Sequence, residues 1–193
     1  MFQRVKIEAK DQGATAPSRC ASFRNDDTGT TAIEFGIIAL PFFMFVCGVI
    51  GIGVHFFTQS VLEDAVGEAA RQVRTGQAQT TGMSVSDFKK LIVDRTGTAI
   101  DSNKLRVHMQ AADKWSDVSP KNCLDSNGQQ TAGTGNPTDA VANYSGGAGA
   151  VVMVTVCYEW ETAKYLPFLD LSQMANGSGM LQASTTFRTE PYQ

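Results

Sequence analysis

The 193-residue chain has room for one modest domain beyond any targeting segment. Its charged fraction of 18% lies below the roughly 25% usual in soluble domains. With 19 acidic against 16 basic residues there is no basic surplus, which excludes the ordinary nucleic-acid binder. The unremarkable mean hydropathy of −0.12 averages one very apolar stretch with a long polar remainder.

In chain order, residues 1–29 form a polar leader that carries Arg4, Lys6, Lys10, Arg19 and Arg24. Between Glu34 and Glu63 no Asp, Glu, Lys or Arg occurs, and Phe35 to Phe57 form a 23-residue apolar core. At about 1.5 Å per residue a helix of that length reaches roughly 34 Å, enough to cross a hydrocarbon layer of about 30 Å. A buried helix of a soluble protein keeps a polar face, and this run has none. Positive charge stays in the cytoplasm, and only Arg71 and Arg74 occur in the twenty residues after Phe57. The expected topology is therefore single-pass, with the N-terminus cytoplasmic and residues from about 58 onward exported. A cleaved secretory signal would have a shorter apolar run and a small-residue cleavage site, which Phe-Phe-Thr-Gln-Ser does not provide.

The junction before the span reads Asp26-Asp27-Thr28-Gly29-Thr30-Thr31-Ala32-Ile33-Glu34-Phe35. It is similar to the prepilin-peptidase site of type IV pilins, and its Glu-Phe pair is close to the Glu-Tyr of Flp pilins. The order Ala-Ile-Glu-Phe-Gly-Ile-Ile-Ala-Leu-Pro resembles the opening of TadE-like proteins of the Tad/Flp pilus assembly system. The resemblance covers residues 27–75 well and 150–193 loosely.

It implies cleavage between Gly29 and Thr30, leaving a mature chain with Glu34 as its fifth residue. Gly29 offers a protease an unhindered, extended backbone. Glu34 is expected in the first helical turn, where its charge suits the helix dipole. A carboxylate at the head of a membrane helix is costly unless paired. By the resemblance, Glu34 and Phe35 set subunit register during assembly, with Glu34 meeting an α-amine. The plainer reading is a carboxylate facing the lipid headgroups. The implied partners are a prepilin peptidase, other TadE- or TadG-like proteins, the Flp pilin and the Tad inner-membrane platform. The implied location is the bacterial inner membrane, with the C-terminal part periplasmic.

Pro41 cannot donate to the carbonyl of Ile37, so a helix bend is expected there. Cys47 and Gly51 form a small-xxx-small step that permits close helix approach. Beyond the span, Val61, Leu62, Ala65, Val66, Ala69, Ala70 and Val73 recur at helical spacing, with Glu63, Asp64, Glu68 and Arg71 on other faces. One helix from about 31 to 75 follows, apolar first and amphipathic later, stopped by Gly76. A polar linker at 76–83 comes next. Ser84 to Asp87 reads as a capping box, opening a short helix through Phe88, Leu91 and Ile92 that ends near Gly97.

Leu105, Val107 and Met109 alternate with Arg106 and His108 as a strand, with His108 on the surface. Residues 126–149 are a Gly-, Asn- and Thr-rich surface loop. Val151–Trp160 is the strongest strand, dense in β-branched and aromatic residues. A turn-rich patch surrounds Pro167, with a short helix at 168–174, and Leu181–Arg188 is a last strand. The fold class is α+β: a long N-terminal helix followed by a small exported domain with an antiparallel sheet of about three strands. The division is a leader at 1–29, the helix at 30–75 with its span at about 35–57, and an exported domain at 76–193.

Cys20 lies in the leader and Cys47 in the span. Cys123 and Cys157 both fall in the exported part, where oxidation is permitted. They are expected to form a disulfide, the alternatives being free thiols or a metal pair short of ligands. No cofactor is expected, and no enzyme. His55 belongs to the membrane boundary and His108 stands alone, while Glu159 and Glu161 read as a solvent-facing pair on one strand face. No metalloprotease, nucleophile-elbow or phosphate-loop motif occurs. Two other readings are a pseudopilin of type II secretion and a signal-anchored periplasmic binding module.

Overall fold

The computed structural model describes residues 29–191. Seven α and β elements follow in order: α1 (Thr30–Arg74), α2 (Gln77–Thr80), α3 (Val85–Thr96), β1 (Leu105–Ala112), α4 (Ala142–Ser145), β2 (Val151–Trp160) and β3 (Gly179–Arg188). Short 3-10 turns join several of them. The chain divides within α1, at Phe45/Val46, into two compact units.

In the first unit every described residue except half-buried Ala39 is exposed. Its helix is apolar all round, with Ile33, Phe35, Ile37, Ile38 and Leu40 uncovered. Nothing in water stabilises so much bare apolar surface, and α1 is long and apolar enough to cross a membrane.

In the second unit α1 changes character. Gly48, Gly51, Thr58, Leu62, Ala65, Val66, Ala69, Ala70 and Val73 are buried. Steps of three and four residues place them on one stripe of the helix. Small residues dominate the stripe, so the helix lies close to what covers it. Arg74 ends it, and Gly76 follows with φ of 79°, in the left-handed region that a stop of this kind requires.

The covering element is an antiparallel sheet in the order β1-β2-β3. The register sets Val107 opposite Val156 and Val156 opposite Ala183, so apolar side chains from all three strands share one face. That face joins Leu62, Val66, Ala69 and Val73 of α1 and Phe88 and Ile92 of α3 in one core. The fold is thus a long helix followed by a small α+β domain with a three-stranded antiparallel sheet. The α3 start is a full capping box: Ser84 Oγ accepts from Asp87 N, and Ser84 N donates to the Asp87 carboxylate.

The opposite sheet face was expected to meet solvent, with His108 at the surface. It is covered instead around His108, Thr155 and Cys157, while Gln182 and Ser184 of β3 on the same face stay exposed. His108 is only 7% exposed, and its Nε2 lies 3.3 Å from Thr131 Oγ1. Thr155, its partner in the register, is also buried. The cover is the segment around 122–131, held by Gln130 Nε2, which donates to the carbonyls of Lys104 and Cys157. A disulfide between Cys123 and Cys157, with Cα atoms 5.5 Å apart, fastens this segment to the central strand.

Three other expectations need correction. Glu159 and Glu161 do not share a strand face, because β2 ends at Trp160 and Glu161 opens a 3-10 turn. Glu159 accepts from Asn176 Nδ2 and Ser178 Oγ, at 2.7 and 2.8 Å, rather than facing water alone. The short helix at 168–174 is a 3-10 turn over Pro167–Leu169. The linker and loop also contain ordered helical turns: Ala78 of α2 and Ser145 of α4 are buried.

Candidate functional site

The residues at the head of α1 stand where cover is absent. Gly29 lies in a 3-10 turn, not in the extended backbone expected of it, directly before Thr30, the first residue of α1, and both are exposed. A Cβ added at Gly29 meets nothing within 4 Å, so the fold itself does not require glycine there. Residues 1–28 lie outside the described residues, so the leader with Cys20 is not described.

Glu34 is exposed and is the fifth residue of the helix, because α1 starts at Thr30. The first turn contains no acidic residue, so the expected first-turn placement of Glu34 is corrected by one position. The next residue, Phe35, is 68% exposed. Pro41 falls inside α1, and helix continues on both sides of it. The neighbouring Phe42 and Phe43 rings meet edge to face at 5.6 Å.

Further along, within the chain itself Gly51 of the Cys47–Gly51 step is covered together with Gly48 and not with Cys47. Cys47 is a free, exposed cysteine, whereas Gly48 and Gly51 are both buried. What approaches them is the chain's own turn after β2. A Cβ on Gly51 would come to 2.7 Å from a Leu166 methyl and 3.0 Å from a Leu169 methyl. One on Gly48 would lie 3.6 Å from Leu169 and from the Phe168 ring. The i, i+3 spacing of the two glycines was the available sequence signal; the partner more than a hundred residues away was not. His55, one turn on, sets its ring edge-on to Trp160 at 5.0 Å. Its Nδ1 is buried and has no hydrogen-bond partner.

The charges of the second unit tie elements together. Glu68 joins Arg71 at 3.0 Å and Arg95 of α3 at 3.3 Å, and the Arg71 hydrogen bond leads in holding its carboxyl below the usual range. Arg74 meets Glu190 at 3.2 Å, while Glu190 N donates to the Arg74 carbonyl, so the residues after β3 close the helix end. Lys104, at the foot of β1, binds Glu161, which also meets Lys164 at 3.4 Å. The Lys104 hydrogen bond is the main reason Glu161 ionises more readily than an ordinary glutamate. Asp139 is likewise held down, chiefly by the Tyr144 hydroxyl at 2.6 Å. These exposed pairs contribute little each, and they organise loops rather than gather reactive groups.

A groove of about 370 Å³ beside β1 is lined by Val85, Lys89, Arg106, Val107 and Gly133, among others. Burial, then the nearby Arg106, holds the Lys89 ammonium below its ordinary value. Among the described residues no three His, Cys, Asp or Glu side chains gather as a metal site.

Neither the search of curated proteins nor that of solved structures found a match. One family model does match, and it covers the helix whose head carries Gly29, Glu34 and Phe35, with most of the covered stripe. Residues 29–71 match the family described as TadE-like protein, the family that the junction resembles, and this likeness suggests involvement in Tad pilus assembly.

Proposed function

We propose that this chain is a membrane-anchored subunit of Tad pilus assembly, cut after Gly29 by a prepilin peptidase and acting as a minor pilin or pseudopilin. The observation that carries the reading is the head of α1. The α-helix α1 runs from Thr30, directly after Gly29, a lone carboxylate follows at its fifth position, and bare apolar helix extends beyond it, all within the TadE-like match. In a membrane the bare surface is solvated by lipid, and the charged leader stays on the cytoplasmic side. Glu34 is then the one acid in the apolar half of the helix, and pairing it with an α-amine offsets the cost of keeping it there. That pairing fixes the depth of one subunit against its neighbour. The partners on this reading are the peptidase, sibling TadE- or TadG-like proteins, the Flp pilin and the inner-membrane platform.

Because a Cβ at Gly29 meets no neighbour, replacing this glycine tests the protease without disturbing the fold. Co-expression with the cognate peptidase should give a mature chain that begins at Thr30, read by N-terminal sequencing. Gly29→Leu should remain uncut at wild-type abundance. Protein that still begins at Met1 in piliated cells would sink the proposal.

A further inference from the structure

The turn that caps Gly48 and Gly51 has two faces. Leu166 and Leu169 methyl groups occupy the space that a side chain at Gly51 would fill, and Leu169 and one edge of the Phe168 ring come within contact range of Gly48. Tyr165 is 81% exposed and Phe168 is 42% exposed, although both belong to the same short segment. At the same level of the helix, Val49, Ile50, Ile52 and Val54 are also uncovered. Contact with Gly48 and Gly51 fixes the height of the segment along the helix axis. Any bilayer that wets Val49 and Ile50 at that height therefore also meets Phe168 and Tyr165.

We propose that Tyr165–Leu169 is a second membrane contact, a collar clamped to α1 at Gly48 and Gly51 that lies in the outer headgroup and acyl boundary of a lipid bilayer. The proposal rests on the reading that α1 spans a membrane, and adds where the outer boundary crosses it.

Length agrees with that height. Ile33 to Gly51 is 19 residues, about 28 Å of helix, close to the roughly 30 Å of a hydrocarbon core. The outer edge of the core then falls near Gly51 rather than at Phe57, with Phe56 and Phe57 among the headgroups. Tyrosine suits that layer, since its ring is apolar and its hydroxyl reaches water. The polar neighbours of the segment stand on either side of the apolar residues: Lys164 is paired with Glu161, and exposed Asp170 follows Leu169. A segment bounded in this way can dip about 5–10 Å into the boundary without burying a charge. It would hold the domain at fixed height and limit its tilt about the helix.

The test uses the full chain with Cys20→Ser and Cys47→Ser, reconstituted in nanodiscs of phosphatidylcholine and phosphatidylglycerol. Single nitroxide labels are placed through Tyr165→Cys, Phe168→Cys, Ile50→Cys as the helix reference and Trp115→Cys as an exposed domain reference. Mass analysis confirms that the Cys123–Cys157 bridge is intact before labelling. Labels at 165 and 168 should be relaxed strongly by oxygen and weakly by a water-soluble nickel chelate, as at 50 and opposite to 115. Labels at 165 and 168 that behave like 115 while 50 behaves as lipid-exposed overturn the collar and leave the anchor standing. Low access to both reagents at 165 and 168 marks a protein cover and also overturns it. A water-exposed label at 50 removes the anchor reading and the collar together.

Discussion

Residues 30–45 and 46–74 of the same helix obey different rules. The first part is apolar on every side and almost wholly exposed, and its only carboxylate is Glu34. The second part has a covered stripe of small and medium side chains, and from Glu63 onward a charged back that carries Glu63, Asp64, Glu68 and Arg71. An apolar face in water must be buried by the chain itself, whereas an apolar surface in lipid need not be. The second part is therefore held by packing and its residues are tuned for fit. The first part needs only length, apolarity and whatever its one charge is for.

The largest expected effect comes from that charge and touches assembly alone. On the proposed role, Glu34→Gln should abolish surface pili while mature protein remains at wild-type abundance. Insertion should be undisturbed, because an amide costs less in lipid than a carboxylate. Wild-type pilus counts with fully cleaved variant would leave Glu34 a headgroup-facing residue with no part in register.

A matched pair of truncations compares the two environments directly. Leu62 is fully buried against the sheet core, so Leu62→Ala should destabilise the domain by about 2–5 kcal/mol. Ile38 is 69% exposed, and Ile38→Ala should leave the domain unfolding midpoint unchanged. Denaturant unfolding in mild detergent measures both. Equal losses would mean that the bare stretch is packed against something after all.

The small core also makes its covalent clip matter. The Cys123–Cys157 bridge closes a loop of 34 residues, for which chain entropy gives about 3–4 kcal/mol. Cys123→Ser with Cys157→Ser should lower stability by that order and open the outer sheet face. Hydrogen exchange around 122–131 should rise before exchange at α3 does. Unchanged protection there would show that the segment is held by Gln130 and its neighbours without the bridge.

Much of this architecture is readable from periodicity. Steps of three and four residues from Leu62 to Val73 mark the stripe, and alternation in Leu105–Met109 marks a strand. Both are local consequences of backbone geometry. Ser84 and Asp87 announce the helix start because a cap is a contact between near neighbours. What periodicity does not carry is the identity of a distant cover. Leu166 and Leu169 meet Gly51 from across the chain, and their own sequence reads as a turn around Pro167. His108 was misplaced for the same reason. Alternation assigns it to the second face of the sheet, but whether that face meets water depends on a segment beyond β1 clipped back by a disulfide.

His108 gives the smallest and most selective effect, because its cover belongs wholly to the sheet domain. Burial, and secondarily the positive charge of Lys121, holds its imidazole below the ordinary value of 6.5. In the unfolded chain the ring takes up a proton as pH falls through about 6.5, whereas the folded ring stays neutral to lower pH. The unfolded state then binds more protons, so stability falls with pH from about 6.5 until the folded site itself protonates. Glu161 and Asp139 also lose stability on acidification, since their folded carboxyls are held below ordinary values of 4.5 and 3.8. Their losses begin only near those lower values, so the window from about 6.5 to 5 isolates His108. His108→Gln keeps a polar group opposite Thr131 and should flatten the stability profile across that window, leaving the steeper loss below pH 4.5 in place. Chemical unfolding at closely spaced pH values reads the difference as a fraction of a proton. An identical slope in the variant would assign the proton uptake elsewhere and return His108 to a purely steric role beneath its cover.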